Sequence, residues 1–286
     1  MNIRDIEVKL ARAPLPVFPT VVSQILRLSE DPGATARDYE KIINISPELS
    51  AKILRTANSS YYGGNGQVAT IQAALMRMGS DTVRSICVAV TFQATLQNKA
   101  AAQNMNMEAF WQHSLGVACA TKILATLHKS PLKEPAFIAG LLHDIGKMAL
   151  YMLMPQEGQL VRKYQEKQAA DDYQAETAVL GVTHEEVGEL AARLWTLPDM
   201  LLAPIAHHHR PLPADFASTP LMAYVNVGNA LAYEAGLAFS PAGPNNEADP
   251  CALEFLGLPA EQYEPLRAVI VKEVQAISSQ LGAAKG

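Results

Sequence analysis

The amino-acid sequence predicts an all-α protein built as two helical lobes, and three observations carry that reading. Apolar residues recur at a spacing near 3.6 over most of the chain, the segments so marked are cut by Pro, Gly or Asp, and β signals are nearly absent. The 286 residues, 49% hydrophobic and 18% charged, are enough to bury one large core or two ordinary ones. The polar, short-side-chained stretch Asn98–Met107 carries no apolar periodicity and is expected to mark the boundary. A first lobe then covers residues 1–105, a second 106–240, and a terminal loop and helix 241–286.

After an irregular entry spaced by Pro14, Pro16 and Pro19, residues Val21, Val22, Ile25, Leu26 and Leu28 predict a helix that Asp31-Pro32-Gly33 ends. A second helix is expected over Ala36–Ile45. A third opens at Pro47, a residue favoured in the first helical turn, and carries Leu49, Ile53 and Leu54 toward Asn58. Tyr61–Gly66 reads as a turn-rich loop. Thr70–Met78 predicts a short helix stopped by Gly79, and Ser80 reads as the N-cap of Asp81–Leu96, which completes a five-helix first lobe. The second lobe predicts helices over Phe110–His128, Glu134–Met154, Pro155–Gln168, Tyr173–Leu180, Thr183–Trp195, Pro198–His209 and Pro220–Ala235. Ser240–Glu247 reads as a surface loop and Gln262–Leu281 as a final amphipathic helix before a frayed tail.

Composition narrows the function classes. No apolar run approaches the roughly 18 residues of a membrane span, and Met1–Arg12 is charged with no signal-peptide core, so a cytoplasmic protein with no membrane partner is expected. Cys87, Cys119 and Cys251 are far apart, which argues against a disulfide framework or a thiolate zinc site and in favour of reduced core residues. Residues 1–105 carry 11 Lys+Arg against 8 Asp+Glu, and the remainder 12 against 20. That mild asymmetry, without aromatic interleaving, does not point to nucleic acid. Tyr62-Gly-Gly-Asn-Gly66 does not fit a phosphate-cradling loop.

The chemistry concentrates in Gly140-Leu-Leu-His-Asp-Ile-Gly-Lys147. At about 100° per residue, His143, Asp144 and Lys147 fall within an arc of about 100°, while Phe137, Leu141, Ile145, Met148 and Met152 line the other side. A helix so apolar elsewhere is buried, and buried polar groups require partners or a metal. Among the seven histidines, His128 is expected to face solvent. His113 follows Phe110-Trp111-Gln112 on a helix, and His184 sits in the first turn of a helix that Thr183 and Glu186 would cap reciprocally. His207, His208 and His209 end another helix. Any one of these alone reads as a core or surface residue, but the set invites a metal. Imidazole and carboxylate oxygen together suit iron, manganese, zinc or nickel. Such an ion would acidify a bound water for attack on a phosphate ester, with Lys147 offsetting phosphate charge.

His113, the His143-Asp144 pair within HDIGK, His184 and the His208-His209 pair occur in an order and spacing that resemble the HD superfamily of metal-dependent phosphohydrolases, including the HD-GYP cyclic di-guanylate phosphodiesterases. Residues from about Pro14 to Pro211 resemble more closely still the HDOD domain, the HD-related output domain of bacterial signalling proteins. That likeness is carried by Leu15-Pro-Val-Phe-Pro19, Asn58-Ser-Ser60 with Ile71–Gly79, Trp111-Gln-His-Ser114 and His208-His-Arg-Pro211. It implies a two-lobed helical fold with an HD-like second lobe and a regulatory role, often without catalysis.

The resemblance also implies metal ligation by His113, His143, Asp144, His184, His208 and His209, with His207 recruited only by a one-residue shift. Two departures weigh against turnover. Arg210-Pro211-Leu-Pro follows the histidine pair where DGxGYP would stand, and Asn229 occupies the position of the last metal-binding Asp, or Asn226 in another register. The resemblance therefore implies a metal-loaded signalling module that meets a protein partner or a nucleotide. The alternative is a metal-dependent phosphohydrolase with His113, His143, Asp144 and His184 as ligands, Lys147 on the phosphate, and His208 and His209 on a second ion or the substrate.

Overall fold

A computed structural model describes residues 3–12, 20–28, 30–31, 33–59, 61–63, 66–96, 105–241, 243–257, 259 and 262–281. The Pro14–Pro19 entry, most of the Asn98–Met107 stretch, the Gly282–Gly286 tail and the Met152 side chain lie outside the described residues. Every regular element among the described residues is helical, with no strand. The chain divides into two units, one of Met1–Leu15 with Leu96–Val274 and one of Pro16–Thr95 with Gln275–Gly286.

The smaller unit contains α2 (Thr20–Leu28), α3 (Ala36–Ile43), α4 (Pro47–Ala57), α5 (Ile71–Met78) and most of α6 (Ser80–Leu96). Its helices begin where the sequence offers caps. Ser46 Oγ accepts from Leu49 N at 3.2 Å with Pro47 in the first turn, and Thr70 Oγ1 accepts from Ala73 N at 3.1 Å. Asn58 clamps the following loop by exchanging two hydrogen bonds of 2.8 Å with the Val68 backbone.

The larger unit is built on α7 (Met107–Leu127) and α14 (Pro220–Glu234), both buried along most of their length and packed on each other. Around them lie α8 (Lys133–Leu142), α9 (Ile145–Leu153), α10 (Pro155–Gln168), α11 (Asp172–Leu180), α12 (His184–Leu194), α13 (Leu202–His207), α15 (Pro250–Leu256) and the first part of α16 (Tyr263–Leu281). No single described helix is long and apolar enough to cross a membrane.

Four expectations need correction. The N-terminal residues form α1 (Ile3–Arg12), whose Ile6 and Leu10 are buried with Leu150, Val187 and Ala191, so this segment belongs to the larger unit instead of the first lobe. The helix expected over Glu134–Met154 is two helices, because the chain leaves helical geometry at Asp144, with φ −97° and ψ 16°. The Ser240–Glu247 loop is half-buried at Ser240 and buried at Asn246, and it packs on the site described below. Cys87 and Cys119 are buried as expected, whereas Cys251 is exposed in α15.

Candidate metal centre

The break between α8 and α9 sets the centre, and two glycines allow it. A Cβ on Gly140 would lie 2.8 Å from the Val117 carbonyl oxygen of α7, and one on Gly146 would lie 1.8 Å from the His184 carbonyl oxygen of α12. Only residues without a Cβ let α8 close on α7 and α9 close on the start of α12. The His143-Asp144 turn thereby meets His113 from α7 and His184 from α12. His184 is held as its sequence predicts, since Thr183 N donates to Glu186 Oε2 at 2.8 Å and Glu186 N to Thr183 Oγ1 at 3.4 Å. His208 and His209, just beyond α13, complete the ring. His207 is half-buried at the end of α13 and belongs to neither ligand cluster.

Each of the five histidines turns its Nδ1 toward a protein oxygen. His113 reaches Leu237 O at 2.9 Å, His143 reaches Gly140 O at 2.8 Å, and His184 reaches Glu176 Oε2 at 2.7 Å. His208 reaches Ile205 O at 3.1 Å and His209 reaches Asn245 O at 2.6 Å. Oxygens that accept assign the proton to Nδ1, so every Nε2 presents a lone pair. These lone pairs converge. His184 Nε2 stands 3.2 Å from His208 Nε2 and 3.1 Å from His209 Nε2, with no proton between them. His113 Nε2, His143 Nε2 and Asp144 Oδ1 are buried without a hydrogen-bond partner among the described residues. Unpaired buried acceptors facing one another are costly, and a cation is the species that satisfies them all.

The spacing fits an ion. Asp144 Oδ1 lies 3.4 Å from both His184 Nε2 and His208 Nε2. Together with the two imidazole separations, these distances run from 3.1 to 3.4 Å, close to the spacing of about 3.3–3.4 Å that tetrahedral bonds of about 2.0–2.1 Å impose. Asp144 Oδ2 faces the other side, 3.3 Å from His143 Nε2 and 3.6 Å from His113 Nε2. The donors thus fall into two clusters, His184-His208-His209 and His113-His143-Asp144, with Asp144 presenting one oxygen to each. In this grouping His184 stands with His208 and His209, whereas the phosphohydrolase expectation set it with His113 and His143.

The electrostatics favour ligation. Burial lowers the pKa of His113 and His209 and pushes His184 and His208 down to about 3, so all four are neutral ligands near pH 7. Burial alone raises the Asp144 carboxyl, but neighbouring positive charge, the Lys147 ammonium at 2.9 Å included, outweighs it and holds it well below the carboxylate range. Lys147 itself is 1% exposed and lies between Asp144 Oδ2 at 2.9 Å and Asp172 Oδ2 at 2.7 Å. Its ammonium, expected on a phosphate, is engaged by two carboxylates.

Other residues of the site escaped the sequence reading. Asp172 also accepts from Gln165 at 2.7 Å and from Ser240 Oγ, and Glu176 takes both N and Nδ1 of His184 at 2.7 Å. Glu185 accepts from His209 N at 2.9 Å. An available signal was the pair Asp172 and Glu176, four apart on a helix that also carries Ala175 and Leu180 inward. Asn226 is structural, donating to His208 O and accepting from Asp249 N, both at 2.8 Å. Asn229, three residues on, has a buried Oδ1 without a hydrogen-bond partner among the described residues, and Tyr233, a turn further, packs edge-on against His113 with ring centroids 5.1 Å apart.

Comparison with known proteins places the chain in a family and a fold. Residues 15–211 match the HDOD domain. A curated uncharacterized protein of Treponema pallidum (strain Nichols) is 24% identical over 222 residues, covering 75% of this chain, which spans 41% of that relative's length. Among solved structures, an HDOD domain protein of unknown function from Geobacter sulfurreducens superposes with a TM-score of 0.80 at 21% identity, covering 99% of this chain and 100% of that one. A candidate signal transduction protein from Marinobacter aquaeolei VT8 gives 0.75 at 23% identity, covering 98% of this chain and 65% of that one. At these identities the structural likenesses establish the fold.

Proposed function

This chain belongs to the HDOD domain family, and from that premise we propose that it is a signal-transduction output module whose HD-like lobe holds divalent metal and binds an anionic ligand or a protein partner without consuming it. The observation that carries the reading is a converging donor set that is buried. His113, His184 and His208 are 0% exposed, His143 and Asp144 1%, and His209 8%. Convergence supports metal retention, and burial of the whole set argues against a substrate reaching it. Asn229, neutral where an active relative would carry a carboxylate, points the same way.

A bound divalent ion, whether iron, manganese, zinc or nickel, supplies positive charge and Lewis-acid polarisation at this point. His113, His143, His184, His208, His209 and Asp144 would hold it. Glu176 orients His184, and Lys147 with Asp172 sets the charge on Asp144. At the rim, exposed Arg210 stacks 4.1 Å over the Tyr173 ring, which itself packs against His209. That guanidinium is the natural contact for an anionic ligand, and a nucleotide is the one to test first.

Elemental analysis of protein purified without chelator or nickel affinity is the direct test, with a His143→Ala/Asp144→Ala variant as control. Stoichiometric metal lost in the variant supports the reading, and a metal-free wild type rejects it. The phosphohydrolase alternative draws on the same donors. Turnover of any nucleotide or phosphomonoester by metal-replete protein, abolished by His143→Ala, would replace the non-catalytic reading with that one.

A further inference from the structure

The five imidazoles do not all rest on the same kind of support. His143, His184 and His208 take their Nδ1 partners from Gly140, Glu176 and Ile205 on helices α8, α11 and α13, and those three bonds are buried. His113 and His209 take theirs from Leu237 O at 2.9 Å and Asn245 O at 2.6 Å, in the chain between α14 and α15, and both bonds are only half-buried. We propose that two limbs of this connection, residues 236–241 and 243–246, form a strap that opens and closes on the donor set, freeing the Nδ1 edges of His113 and His209 while the other three imidazoles keep their seats. The inference deepens the metal-binding reading above by naming the route by which an ion reaches buried donors, and it rests on that reading only for what passes.

The strap is held by few bonds, and side chains make most of them. Pro241 and Pro244 offer no N–H. Among the described residues, the backbone bonds of the limbs are Gly236 N to Tyr233 O and Leu237 N to Ala232 O, both 3.0 Å and both at the end of α14, and Asn246 N to Gly243 O at 2.9 Å. No backbone bond among them joins a limb to α7, α11 or α12. The ties run instead to the start of α11. Ser240 Oγ donates to Asp172 Oδ2 and meets Tyr233 Oη at 2.8 Å, while Asn245 N and Nδ2 donate to Asp171 Oδ2 at 3.3 and 2.9 Å.

Apolar contact adds Phe239 on Phe110, with ring centroids 5.2 Å apart, and Leu237 on α7 beside Gly116, but both strap side chains stay half-buried. A segment with few buried contacts and half-exposed bonds opens at lower free energy than the packed helices around it. Gly236, with φ 77°, supplies a hinge where α14 ends. The strap also meets the charge network. The Asp172 oxygen that accepts from Ser240 is the one that takes Lys147 Nζ at 2.7 Å, so strap and ion pair share one atom beside Asp144.

The test is diethylpyrocarbonate modification of the whole chain, metal-free and near pH 7, with the rate at each histidine followed by peptide mass spectrometry. The reagent acylates a neutral ring nitrogen that it can reach. Exposed His128 and half-buried His207 should react first. His113 and His209 should follow, on the order of ten-fold faster than His143, His184 and His208. Ser240→Ala removes the bonds to Asp172 and Tyr233 without touching a donor, and should quicken His113 and His209 by about three- to ten-fold while leaving the other three within about two-fold. Asn245→Ala, which keeps the carbonyl on His209 and loses the Nδ2 bond to Asp171, should act the same way. Circular dichroism confirms that each variant is folded, and the order of rates in the wild type decides the matter even where a variant is not. Equal rates at all five buried histidines in the wild type, or equal quickening of all five in the variants, would mean that the donors are reached only by opening of the whole unit and would overturn the strap. No ion is present in this experiment, so its outcome stands apart from metal content, which decides the metal-binding reading alone.

Discussion

Lys147 is a fully buried ammonium held between two carboxylates, and its pKa lies well above the ordinary lysine value because Asp144 and Asp172 outweigh the effect of burial. Removing one partner of a buried ion set leaves charge unpaired. Lys147→Met is therefore expected to destabilise the metal-free protein by about 3–5 kcal/mol in urea unfolding, with part of the loss recovered on adding Zn²⁺, which supplies positive charge beside Asp144. The titrating residues give a second prediction for the metal-free chain. Burial depresses His113, His184, His208 and His209 below the ordinary 6.5, so below that pH the unfolded chain binds four protons that the folded one does not, and stability falls with acidification. Burial raises Glu185 from 4.5 to about 8 and Glu176 well above 4.5, so across that window the folded chain holds two protons that the unfolded one releases, and stability falls as pH rises. Four histidines outweigh two carboxylates below 6.5, and only the carboxylates act above it. Denaturation midpoints of the metal-free protein should thus peak near pH 6.5, and a monotonic profile would contradict the assigned protonation states.

The elements matter chiefly through how closely they approach. Gly146 carries its α-carbon against the backbone of α12, where a Cβ would sit 1.8 Å from His184 O and 2.7 Å from Gly188 N. Both obstacles are backbone, so neither moves aside as a flexible side chain would. Gly146→Ala is expected to cost at least the 1–3 kcal/mol typical of overpacking and to lower metal retention, because His184 and Asp144 are displaced together. Thermal melting and metal content measure the two effects. Helix α1 offers a complementary case. Ile6 is 0% exposed against Leu150, Val187 and Ala191, and Ile6→Ala should lose about 2–5 kcal/mol without touching a ligand. The helical spacing of Ile6 and Leu10 was visible in the sequence, but the charges between them masked it. The α8–α9 break was not visible, since Leu141, Ile145 and Met148 continue a helical period through it, and what interrupts the helix is the backbone of its neighbours.

At the scale of the whole molecule, the candidate centre lies entirely within the larger unit, and its residues span the chain from His113 to Asn245. A ligand that binds only folded protein stabilises what it bridges by RT ln(1 + [L]/Kd), about 2.7 kcal/mol at one hundred times Kd. Hydrogen exchange with saturating Zn²⁺ is expected to slow in α7–α9 and α12–α14 by an amount approaching that figure, while α2–α5 exchange as before. Equal slowing of both sets would mean that the ion's effect is not confined to the unit that holds it.

Periodicity and punctuation in the sequence determine much of this protein. The helical class, most helix spans in both units, the Thr183–Glu186 cap and the five histidines and Asp144 that converge in the fold were all legible, because each depends on residue type and local spacing. Tertiary structure alone decided the rest. It separated His208 and His209 from His207, split the candidate donors into two clusters about Asp144, turned Lys147 onto Asp172, and brought Glu176, Glu185, Leu237 and Asn245 behind the histidines. Those relations join residues up to 124 positions apart, and what fixes them is how closely helices pack at Gly140 and Gly146, a distance that no local pattern encodes.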